Sequence, residues 1–148
     1  MENEYYTPDI EDIHVGYEYE WSHNGIDWFI STLQTIPGGY DVEECSLYLG
    51  RCVLSIHEML ECKLIRTLYL TKEQIESEGW TIGNTGGLEC GCVNGICMFS
   101  KRPWTLGYNF KNKCMKISTL GDSSDIRYEG ECKSINEFRT IIKLLKIN

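Results

Sequence analysis

From Ile13 to Trp21 apolar and polar residues alternate without a break, with Ile13, Val15, Tyr17, Tyr19 and Trp21 on one side and His14, Gly16, Glu18 and Glu20 on the other. A period of two belongs to a pleated strand with one covered face, because successive side chains change side. Asn24-Gly25 follows, the dipeptide suited to a two-residue type I′ turn in which both central residues take positive φ. Counting outward from that turn, Trp21 is expected opposite Trp28 and Tyr19 opposite Ile30. The aromatic face would then run across a hairpin, so the fold must contain antiparallel sheet.

Asn94-Gly95 repeats the device, with Val93 expected opposite Ile96 and Cys92 opposite Cys97. Trp104, Leu106, Tyr108 and Phe110 alternate, as do Met115, Ile117 and Thr119. Ile126, Tyr128, Gly130 and Cys132 oppose Arg127, Glu129 and Glu131. The short links at 111–113 and 121–124 make these strands a meander, since antiparallel neighbours need only a few residues between them. Three- and four-residue spacing of Val53, Ile56, Met59/Leu60 and Leu64 predicts a helix over Val53–Cys62. Thr71 and Gln74 form a capping box for a short helix that stops at Gly79. Ser134 and Glu137 open a C-terminal helix with the apolar stripe Ile135, Phe138, Ile141, Ile142 and Leu145. Arg139, Lys143 and Lys146 populate its polar side.

These elements predict an α+β fold: an antiparallel sheet of hairpins and a meander, with the C-terminal helix packed on one face. A length of 148 residues points to a single domain, 1–148. Residues 1–12, with Pro8 and several carboxylates, are expected to form an extended N-terminal arm.

Fourteen Lys and Arg stand against 22 Asp and Glu, a net charge of −8. That balance excludes generic nucleic-acid binding, which needs clustered cations to displace counterions, and favours a basic partner. No apolar run approaches the ~18 residues of a membrane span, and the first residues lack the basic-then-apolar pattern of a secretory signal. A cytoplasmic protein is expected. In that compartment reduced thiols are the ordinary state, and Cys45, Cys52, Cys62, Cys114 and Cys132, set among apolar residues, are expected to act as small hydrophobes.

The densest chemistry is Cys90-Gly91-Cys92-Val93-Asn94-Gly95-Ile96-Cys97, whose hairpin register brings Cys90, Cys92 and Cys97 to one face. Three readings stay open: a structural zinc site, a disulfide between facing cysteines, or plain apolar thiols. A zinc site would draw its fourth ligand from His57, Cys62, Cys114 or further away. No C-x-x-C pair occurs, so the expectation is that the chain holds no cofactor. The Trp and Tyr surplus marks Trp21, Trp28 and Trp104 as candidate binding residues. Glu18 and Glu20 join them as two like charges on one strand face, able to meet a basic partner or simply to be solvated. A thiol nucleophile paired with His57 has no local support.

Three stretches carry a resemblance: Tyr5-Tyr6-Thr7-Pro8-Asp9-Ile10-Glu11-Asp12-Ile13-His14-Val15-Gly16-Tyr17-Glu18; Tyr69-Leu70-Thr71-Lys72-Glu73-Gln74-Ile75-Glu76 through Gly79-Trp80; and Glu137-Phe138-Arg139-Thr140-Ile141-Ile142-Lys143-Leu144-Leu145. They resemble short uncharacterised proteins encoded by phages and mobile elements of gut Bacteroidota. The chain departs from that pattern at Leu68, where family members carry Pro, and 34–63 and 82–103 have no counterpart. The matched stretches are scaffold elements. The resemblance thus implies a phage-type origin and a host-cytoplasmic setting, with no catalytic residues to carry over. The resulting expectation is a small accessory protein that binds a host or phage protein without catalysis, in a counter-defence setting. A nucleotide-like small-molecule binder and a zinc- or thiol-dependent enzyme are the alternatives.

Overall fold

The computed structural model describes residues 3–33, 46–49, 52–83 and 92–148. They form an α+β fold of antiparallel sheets with few helices. Where length alone points to one domain, the chain divides into two compact units, Met1–Tyr69 and Leu70–Asn148.

The first unit runs β1 (Tyr5–Tyr6), β2 (Glu18–Trp21), β3 (Phe29–Thr32), β4 (Ser46–Leu49), β5 (Cys52–Ser55), α1 (Ile56–Glu61) and β6 (Ile65–Leu68). Four of these strands make an antiparallel sheet in the order β1-β6-β2-β3, and β4 pairs with β5 as a separate hairpin. Ile13, Tyr17, Tyr19, Leu33, Met59 and Ile65 form its buried core.

Three expectations change here. The residues expected as an extended N-terminal arm are extended only in part and are tied to the sheet: Tyr5 and Tyr6 pair with Leu68 and Thr67, and Ile10–Asp12 form a 3₁₀ turn. The strand that follows is shorter than the alternation suggests. Gly16 takes φ +89° and Tyr17 N–H donates to the His14 carbonyl, so the chain turns before β2 and leaves Val15 exposed. The helix expected from Val53 starts only at Ile56, because 52–55 pair with 46–49 as a strand. A short apolar run satisfies either period, and the pairing partner decides.

The largest difference lies in the β2–β3 hairpin. Gly25 has φ +74°, but Asn24 is not left-handed, so no type I′ turn forms. Instead Ser22 Oγ accepts from the Asn24 and Gly25 amides at 3.3 and 2.8 Å, and Asn24 Oδ1 accepts from the Ile26 and Asp27 amides at 2.9 Å each. Short polar side chains that bond to nearby amides stabilise a loop in place of a tight turn. The connection therefore runs from Ser22 to Trp28, and Trp21 pairs with Phe29, Glu20 with Ile30 and Tyr19 with Ser31. Relative to the expected pairing of Trp21 with Trp28, β3 has slipped by one residue. A one-residue slip transfers every side chain to the opposite face.

The second unit runs α2 (Lys72–Ser77), β7 (Thr81–Ile82), β8 (Cys92–Val93), β9 (Ile96–Lys101), β10 (Trp104–Asn109), β11 (Cys114–Thr119), β12 (Asp122–Glu131) and α3 (Ile135–Leu144). Its sheet has the order β12-β11-β10-β9-β7, with β8 also paired to β9. The last link of the meander is tighter than the expected 121–124, because Asp122–Ser124 already belong to β12 and Asp122 pairs with Thr119; the order of its strands is as read from the alternation. So is the second hairpin: Asn94 and Gly95 have φ +54° and +84°, and Val93 pairs with Ile96 and Cys92 with Cys97. Thr71 and Gln74 make the reciprocal capping box. Ser134 accepts from the Glu137 amide, while the Glu137 carboxylate accepts from Lys133 N–H, one residue before the box position. Helix α3 covers one face of the meander. Ile135 and Phe138 lie in one core with Phe99, Leu106, Tyr108, Met115 and Ile117, and Ile141, Ile142 and Leu145 are packed against it.

Candidate functional site

The one-residue slip places Trp28 on the same face as Glu20, and on β6 the cross-strand neighbour of Glu20 is Arg66. The Arg66 guanidinium carbon lies 3.9 Å from the centroid of the Trp28 ring and 3.8 Å from that of Tyr5. Arg66 Nε and Nη2 both reach Glu20 Oε2, at 2.8 and 2.7 Å, and Tyr5 Oη donates to Glu20 Oε1 at 3.2 Å. A planar cation between two ring faces, closed by a carboxylate, is a favourable arrangement for guanidinium, which stacks and bonds bidentately where ammonium cannot. The cluster ties together the N-terminal strand, the hairpin loop and the strand after α1. The Glu20 and Arg66 side chains are only 18 and 28 % exposed, so the pair is shielded more than a surface salt bridge.

Beside this cluster lies the edge strand β3, with β2 as its one neighbour among the described residues. Ile30 is 83 % exposed, Phe29 45 % and Ile26, in the preceding loop, 80 %. Phe29 leans on Trp21 with ring centroids 5.0 Å apart, and His23 stacks on Phe29 at 6.2 Å. Three large apolar side chains are thus left exposed within five residues at an edge, with Phe29 on one face of the strand and Ile30 on the other, and uncovered apolar residues at a sheet edge mark an interaction surface.

The electrostatics divide as sharply as the fold. Residues 1–69 carry thirteen acidic and three basic side chains, a net −10, while 70–148 carry nine acidic and eleven basic, a net +2. All of the chain's negative excess therefore belongs to the unit with the apolar edge.

Of the expected binding residues, Trp21, Trp28, Glu18 and Glu20 fall in this region. Glu18 pairs across from Thr32 on the Glu20 face, and Trp21 lies on the opposite face, packed against the core. Trp104 belongs to the second unit, where the Arg127 guanidinium sits 5.7 Å from its ring centroid. Arg127 is held by Asp125 at 2.9 Å. The Asp125 carboxyl lies below the ordinary carboxylate range, first through the Thr119 hydroxyl and then through Arg127. Tyr5, Phe29, Ile30 and Arg66 were not singled out by residue type or spacing. Exposure of Phe29 and Ile30 follows from a loop length that Asn24-Gly25 alone does not reveal.

Of the three readings left open for the cysteines of the Asn94-Gly95 hairpin, the disulfide between facing cysteines is the one present. Cys92 and Cys97 are joined by a disulfide, their Cα atoms 3.9 Å apart. In that state neither offers a thiolate to a metal or acts as a nucleophile. Cys90 lies outside the described residues, as do Cys45 and the loop glycines Gly86 and Gly87. Cys62 and Cys114 are exposed rather than packed inside. Apolar neighbours in sequence mislead here: Cys114 alternates with buried Met115 along β11 and so points to the other face. Cys132 is buried as expected. Burial, followed by the nearby Glu137 carboxylate, pushes its thiol far up, so it remains protonated and inert. Among the described residues no group of three or more His, Cys, Asp or Glu is placed to hold a metal ion.

The outer face of the second sheet carries an open groove of about 370 Å³ whose lining includes Gly107, Ile96, Met98, Cys114 and Lys116. Lys116 has Glu129 as its cross-strand neighbour, so the groove presents matched charges. Among the described residues no helix is long and apolar enough to cross a membrane. No family model matches the chain, and neither a curated protein nor a solved structure matches it.

Proposed function

We propose that this chain is a non-catalytic binding protein, whose first unit engages a protein partner through the outer edge of its four-stranded sheet. The observation that carries this reading is the exposure of Ile26, Phe29 and Ile30 at the β3 edge of a unit with net charge −10. Large apolar side chains left uncovered cost solubility, and a folded chain that keeps them gains from covering them on association. The acidic surroundings favour a basic partner, because complementary potentials raise the encounter rate. The phage-type accessory role implied by the resemblance, in a counter-defence setting, fits a small acidic binder of this kind. A base-stacking role for Trp28 is less well supported, because one of its ring faces already stacks on Arg66.

The test is capture by the immobilised full chain from bacterial host lysate, compared with its Ile30→Lys variant. An exposed strand position should tolerate the substitution within about 0.5 kcal/mol. The expected result is saturable capture of a defined protein, weakened about tenfold or more by Ile30→Lys at unchanged melting temperature. Absence of any saturable partner, or equal capture by both proteins, would overturn the reading.

A further inference from the structure

The main chain of β3 adds a second requirement on the partner. We infer that the partner presents an extended, basic segment that adds to β3 as a further strand of the sheet; this rests on the reading of the β3 edge as the binding surface.

Leu33 N–H donates to the Tyr17 carbonyl at 2.9 Å and the Leu33 carbonyl accepts from Gly16 N–H at 2.7 Å, so the main-chain groups of Leu33 face β2. In an antiparallel ladder these groups alternate sides residue by residue. Ser31 and Phe29 therefore also face β2, while Ile30 and Thr32 turn N–H and C=O toward the edge. Among the described residues no strand lies on that side. Proteins usually guard an exposed edge with lysine, proline, a bulge or an inward charge. The β3 sequence, Phe29-Ile30-Ser31-Thr32, has no charge and no proline, and its four residues pair with β2 in unbroken register.

The side chains specify what the added strand should carry. On one face it meets Phe29 and Trp21, which favour apolar contacts. On the other it meets Ile30 and Thr32, with Glu18 and Glu20 one strand further in. Strands lie about 4.8 Å apart, so Glu18 is about 10 Å from a residue opposite Thr32. A lysine or arginine there, with its long stem, comes within ion-pairing distance of that carboxylate. The chemistry is thus an alternation of apolar and basic residues. A second copy of the chain fits less well, because it brings another net −10 unit against the first.

The experiment titrates the ¹⁵N-labelled full chain with a synthetic octapeptide of alternating lysine and valine. Two control peptides replace every lysine by glutamate or N-methylate alternate backbone amides. Saturable shifts largest at the Ile30 and Thr32 amides are expected, with both controls binding about tenfold more weakly or worse. Added salt should weaken the lysine peptide. Equal binding of the N-methylated peptide, equal binding of the glutamate peptide, shifts centred elsewhere, or a chain dimer lost in Ile30→Lys would each overturn the inference. If Ile30-dependent capture from lysate persists while the lysine–valine peptide leaves Ile30 and Thr32 unmoved, strand addition by a basic segment fails and the binding reading stands. If both fail, both fall.

Discussion

Replacing Phe138 with alanine is expected to cost the second unit about 3–5 kcal/mol, the range for emptying an aromatic site in a packed core. Phe138 is fully buried, its ring edge lies against Trp80 at 6.3 Å between centroids, and it shares a cluster with Leu106 and Ile117. The surrounding elements are a sheet face and a helix held by a capped N-terminus, which collapse only in part around a void. Leu144 on the same helix is 75 % exposed, so Leu144→Ala should change stability by no more than about 0.5 kcal/mol. Urea denaturation followed by fluorescence checks both, with an unchanged slope showing that stability alone has moved. Similar losses for the two variants would mean that α3 does not present Phe138 to the sheet.

The second large effect belongs to Arg66→Ala, expected to cost the first unit about 2–3 kcal/mol. Two stacked rings contribute about 0.5–1 kcal/mol each in an exposed setting and more when shielded. Removing the cation also leaves the Glu20 carboxylate, mostly shielded from water, with the Tyr5 hydroxyl but without its counterion. Breaking a fully buried pair costs about 3–5 kcal/mol, and the partial exposure of this one lowers that figure. Arg66→Lys should recover about half of the loss, because ammonium keeps the charge and gives up the planar stack. Trp28→Ala and Arg66→Ala should be less than additive in the double variant, since each removes the same contact. Full additivity would place Trp28 away from Arg66 and contradict the observed register.

Much of the second unit was legible because its local signals agree. Asn94-Gly95 sits between two β-branched residues, so turn preference and strand preference point to one register. Thr71 and Ser134 announce their helices by their own side chains. The first unit was harder to read. The same dipeptide at 24–25 is preceded by Ser22, whose hydroxyl takes two amides and opens the connection into a loop. The resulting slip of one residue moved Trp28 to the Arg66 face and Phe29 to the Trp21 face. The aromatic cluster was illegible for another reason: Glu20 and Arg66 are 46 residues apart, and only the pairing of β2 with β6 brings them together. Long-range strand pairing leaves no local periodicity to find.

The register of β3 underlies both the Trp28–Arg66 cluster and the open edge, and native-state amide hydrogen exchange on the free chain tests it directly. Groups hydrogen-bonded within a sheet exchange only when it opens, whereas edge groups exchange from the folded state. The Ser31 and Leu33 amides are expected to be protected, while Ile30 and Thr32 exchange as fast as exposed loop amides. Protection of Ile30 and Thr32 with rapid exchange at Ser31 would establish the opposite register, remove Trp28 from Arg66 and close the proposed edge.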